Sequence, residues 1–149
     1  MRSDRYRKIR ESDIPPMQVW ARKISGINKL KIVLANKSKR DSPVLVAWIV
    51  TVDPPIIYLD RKSLNSKDEN VLYLRVYMLH EIGHLLTNAK PGNKEYLAHH
   101  WAIKKSLKLG LLYELRLLQA IGHSFFDQSH ENAKTYRQAA QQLLKEGLL

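Results

Sequence analysis

The stretch that most constrains this chain is Val71-Leu72-Tyr73-Leu74-Arg75-Val76-Tyr77-Met78-Leu79-His80-Glu81-Ile82-Gly83-His84-Leu85-Leu86, an apolar run containing H-E-x-x-H. Two histidines four residues apart on a helix project from one face, about 6 Å apart along the axis, so both imidazoles can reach one small cation. Glu81 is turned about 100° from His80, which sets its carboxylate beside the attacking water and not on the cation. The pattern therefore demands a helix. Val71, Leu74, Met78, Ile82 and Leu85 recur at three- and four-residue spacing and give that helix a core-directed face. Ser66-Lys67-Asp68-Glu69 has the form of a capping box, so the helix is expected from Lys67 to Leu86. Gly83 costs helix propensity between the two histidines, and the reading offered for it is a second backbone approaching closely there.

A site of this kind needs a third ligand. The chain has no cysteine, which excludes thiolate zinc sites, iron–sulfur clusters, disulfides and cysteine nucleophiles. His and carboxylate remain. Thr87-Asn88-Ala89-Lys90-Pro91-Gly92-Asn93 reads as a turn, after which a helix is expected from Lys94 to Leu109, ending at Gly110. Glu95 in its first turn comes back towards His84 and is the first candidate for third ligand, near a helix N-terminus that suits an anion. His99, one turn further on, competes with it and is also the candidate for a catalytic role, stabilising the oxyanion. Tyr96, His100, Tyr113, His123 and Tyr136 are weaker candidates for that role.

Upstream, Pro15-Pro16 opens a short helix through Ile24, with Val19, Trp20 and Ile24 as its apolar side and Gly26 as its stop. Three strand-like runs follow: Lys31–Ala35, Val44–Val52 with Trp48, and Ile56–Asp60. Short connections favour antiparallel neighbours, and the free edge could take an extended peptide. Downstream of Gly110, Leu111–Ile121 reads as a helix stopped by Gly122. A last helix is expected to be capped by Ser129, with Ala133, Tyr136, Ala140, Leu143 and Leu144 inward. The fold class expected is α+β: a small, mainly antiparallel three-stranded sheet packed against a zincin-type H-E-x-x-H helix and further C-terminal helices. The 149 residues fit one domain, with residues 1–13 a flexible basic lead.

The net charge of +11 is concentrated early: seven basic residues and no acidic one lie between Ile14 and Arg40. Such a surface attracts nucleic acid without sequence preference, or an acidic protein, and also keeps a small protein soluble. The longest apolar run, Val44–Val50, is too short to span a bilayer, and no signal segment follows Met1. A cytoplasmic protein with no membrane partner is the expectation.

His80-Glu81-Ile82-Gly83-His84-Leu85-Leu86, followed by Glu95-Tyr96-Leu97-Ala98-His99-His100-Trp101-Ala102, resembles the ImmA/IrrE-type metallopeptidase family. That family's pattern is H-E-L-G-H-L-L, a variable turn, and a helix opening E-x-x-A-x-x-F-A. Here Ile82 replaces leucine and Trp101 replaces phenylalanine. The resemblance implies a gluzincin-like zinc endopeptidase in which His80, His84 and Glu95 bind Zn2+ and Glu81 is the general base. It also implies a protein or peptide substrate, with a DNA-bound repressor as the family's kind of target. The competing class is a metal-stabilised regulatory module, associated with nucleic acid and without protease activity. Glu81 separates the two, since a structural zinc needs no general base.

Overall fold

The computed structural model describes residues 5–36, 47–51, 53–64, 70–87, 94–129 and 133–149. The Ser66 capping box and the turn at residues 88–93 lie outside them. The chain divides into two compact units, Met1–Glu81 and Ile82–Leu149.

In the first unit, Asp13 precedes helix α1 (Ile14–Ser25), whose first turn holds both prolines. Met17, Ala21 and Ile24 face inward, while Val19 is 66% exposed. The inward stripe thus begins at Met17, one helical turn before Ala21, and the expected Val19 lies off it. Gly26, at φ 73°, ends the helix and donates its N–H to the Arg22 carbonyl. The N-terminal segment is tied in as well. Ile9 is fully buried, the Arg7 guanidinium grips both Asp13 carboxylate oxygens, and the Arg7 carbonyl accepts the N–H of Val71.

Strands β1 (Lys31–Ala35), β2 (Ala47–Thr51) and β3 (Ile56–Asp60) form a sheet in the order β1-β3-β2. β1 runs parallel to β3, with Ile32 beside Ile57, and β2 runs antiparallel to β3, with Trp48 beside Tyr58. The expected α+β fold on a mainly antiparallel sheet is overturned. The sheet is mixed and open, and five α-helices dominate the described residues. Connection length explains the difference. Only residues 52–55, with a cis Asp53–Pro54 peptide, join β2 to β3, and that short link gives the antiparallel pair. Residues 36–46 separate β1 from β2, which is length enough for β3 to take the place beside β1. Helix α1 is bound to β1: the Gln18 side-chain oxygen accepts the Ile32 N–H at 2.9 Å, and Arg22 Nε donates to the Leu30 carbonyl at 2.7 Å.

Helix α2 spans Val71–Thr87. Its first turn is capped by Asn70, whose side-chain oxygen accepts the Tyr73 N–H at 3.0 Å. Leu72, Leu74, Val76, Met78, Leu79 and Ile82 are all buried, so the helix is enclosed around most of its circumference and not along one stripe.

The second unit continues with α3 (Lys94–Leu109), α4 (Leu112–Ser124), a 3-10 turn (Phe125–Asp127) and α5 (Ala133–Lys145). Gly110, at φ 68°, makes the reversal between α3 and α4. Gly122 does not stop α4 as expected. A Cβ there would lie 2.5 Å from a Leu149 methyl carbon, so glycine leaves room for that side chain within a continuing helix. On α5, Ala133, Ala139, Ala140 and Leu143 are buried, whereas Leu144 is half exposed and points away from the expected face. Phe125, Ala139 and Ala140 form a core cluster with Tyr96, Ile121, Tyr136 and Leu149 packed on it.

Candidate metal centre

His80 and His84 are one turn apart on α2, and both are half-buried. Their relation is therefore fixed by the helix itself. Glu95 stands in the first turn of α3, and its Oε2 lies 3.4 Å from His84 Nε2. One backbone contact sets this pairing. A Cβ on Gly83 would sit 2.4 Å from the Ala98 carbonyl oxygen, so α2 and α3 touch main chain to main chain between the histidines and one turn beyond Glu95. Thr87 Oγ1 donates to the Gly83 carbonyl at 2.7 Å and closes the last turn of α2.

The candidate ligand atoms of His80, His84 and Glu95 all lie within 4.8 Å of one another. Zinc bonds of about 2.0–2.1 Å in a tetrahedron hold neighbouring donors roughly 3.3–3.4 Å apart. The His84–Glu95 separation of 3.4 Å matches that edge, and it is long for a direct hydrogen bond. Two imidazoles and one carboxylate are also a donor set zinc accepts with a position left over. The residues fit the ion. Glu81, on the same helix as the two histidines, is buried at 9% exposure.

His99 is placed differently. It is fully buried, its Nε2 is 2.6 Å from the Leu118 carbonyl oxygen, and its ring meets Phe125 edge-on. A carbonyl only accepts, so Nε2 carries the proton and is committed to α4. His99 is not a member of the three-residue group found among the described residues. Of the weaker candidates, Tyr113 is nearly half exposed at the α3–α4 reversal and His123 is exposed, while Tyr136 packs on Phe125.

Tyr96, next to Glu95, donates its hydroxyl to Glu146, fifty residues away in sequence. Burial first, and then this hydrogen bond, push the Tyr96 phenol up to about 12. Glu146 is held below the usual carboxylate range, chiefly by the same bond. His100 Nε2 lies 3.7 Å from Glu146 and Gln142 donates to it at 3.1 Å, so the first turn of α3 is anchored to the end of α5. Nothing in the sequence marked this anchor, because its partners share no spacing.

No family model matches the chain, and comparison with curated proteins and with solved structures finds no match either. Among the described residues, no helix is long and apolar enough to cross a membrane.

Proposed function

We propose that this chain is a zinc-dependent peptidase in which His80, His84 and Glu95 hold the metal and Glu81 is the general base. The convergence of those three ligand candidates carries the reading. Support also comes from the resemblance of the H-E-I-G-H and E-x-x-A-x-x-W-A segments to the ImmA/IrrE pattern. Zinc bound there supplies a Lewis acid that polarises a peptide carbonyl and makes water easier to deprotonate. Glu81 takes a proton from water as its oxygen attacks the carbonyl carbon. It then delivers that proton to the departing amine as the C–N bond breaks. The substrate class is protein or peptide, and by resemblance a repressor held on DNA, near which a basic surface would concentrate the enzyme.

The test is Glu81→Gln at matched metal content. Termini found in cells expressing the intact protein and missing with the variant identify the substrate. On that substrate the variant should lose roughly 10²–10⁴-fold in kcat with KM little changed. Equal cleavage by the metal-replete variant would end the peptidase reading and leave a metal-stabilised regulatory module in its place.

A further inference from the structure

The second unit exposes an apolar tip that the metal centre does not use. His99 meets Leu118 and Ser106 meets Leu111, the pairing of an antiparallel hairpin turned by Gly110 and Leu111. At that reversal Leu107, Leu109, Leu112 and Tyr113 are 51%, 45%, 60% and 46% exposed. Together they expose on the order of 400 Å² of mostly apolar surface, comparable to the largest apolar patch of an ordinary monomer, which is often a functional one. Residues 96–126 carry Lys104, Lys105, Lys108 and Arg116 against a single acidic residue, Glu114, and Glu114 is only 3% exposed. The surface around the tip is thus apolar at its end and basic behind it.

We propose that this tip docks on an anionic lipid surface, Leu109, Leu112 and Tyr113 entering the headgroup region and the basic residues meeting lipid phosphates. The charge selects the occupant. A second copy would bring one basic rim against another. Nucleic acid would bury leucines against phosphates to no gain. A peptide partner needs a groove, whereas the end of a tight helical hairpin is convex. Surface docking needs no spanning helix, so the length of the helices does not bear on it.

The test uses the full chain with vesicles of phosphatidylcholine alone and of phosphatidylcholine mixed with phosphatidylglycerol. Cosedimentation with the mixed vesicles only, weakening as salt is raised, is expected. Leu109→Asn combined with Leu112→Asn should lower partitioning by roughly tenfold or more, and Lys104→Gln with Lys108→Gln by a similar factor. All four side chains are exposed, and circular dichroism checks that the fold is kept. Failure of the intact chain to bind mixed vesicles would overturn the proposal. So would binding that the leucine changes leave intact, since net charge alone would then account for it. Sedimentation velocity showing a dimer that the same changes dissolve would assign the tip to self-association and overturn it too.

Discussion

A methyl group at position 83 would lie 2.4 Å from the Ala98 carbonyl oxygen and 2.8 Å from its Cα, and backbone atoms cannot swing aside as a side chain can. Gly83→Ala must therefore push α2 and α3 apart where His84 and Glu95 face each other. Overpacking of this kind costs about 1–3 kcal/mol, readable as a lower urea midpoint. Zinc affinity should fall with it, because the 3.4 Å ligand separation opens. Unchanged zinc affinity would mean that the contact does not set the ligand spacing. This close approach was legible in the sequence, since a glycine between two histidines of a helix needs a reason. Gly122 was not legible. It looked like a helix stop, and the packing of Leu149 and His99 against it explains the glycine instead. His99 stands one turn from Glu95, and its Nε2 lies 2.6 Å from the Leu118 carbonyl oxygen, a partner that helical spacing does not show.

Elements were legible where local signals were strong and opaque where partners came from far along the chain. Residues 31–35, 56–60 and 94–109 form the expected strands and helix at the expected bounds, because proline, glycine and β-branched runs mark them. Strand order was not legible, as periodicity says which face a strand buries and nothing of its neighbour. The N-terminal tie to α1 offers a pH test. Arg7 lowers the Asp13 carboxyl, the largest cause being their hydrogen bond, with further help from the Arg10 N–H. A carboxyl lowered on folding contributes stability that is complete above its unfolded value of 3.8 and lost as pH falls through the lower folded value. Asp13→Asn should cost about 1–3 kcal/mol at neutral pH, and urea titrations should show that cost shrinking below about pH 4. The tie between α3 and α5 behaves oppositely. A phenol raised from 10 to about 12 contributes below pH 10 and is lost as pH rises towards 12. Absorbance titration should show a late-ionising tyrosine that is missing in Tyr96→Phe.

At the scale of the whole molecule, α2 carries both histidines of the candidate centre. A ligand that binds only the folded chain stabilises it by about 4 kcal/mol at a thousandfold excess over Kd. Zinc should therefore raise Tm by several degrees, a chelator should reverse the rise, and His84→Ala should abolish it. A Tm indifferent to zinc and chelator would argue against the centre. The motif made this grouping of side chains legible, because helix geometry fixes the spacing of the two histidines and Glu95 opens the next helix. The hairpin tip was not legible, since leucines such as Leu109 and Leu112 carry no sequence mark of their exposure. The hydrogen bond that closes the hairpin further along has a use of its own. The His99 Nε2 proton is sealed from water and given to a carbonyl on the opposite helix, so it can exchange with solvent only when α3 and α4 part. In a nitrogen-labelled sample it should survive as a slowly exchanging imidazole resonance, and its decay in heavy water would time the opening of this hairpin with a clock built into the core.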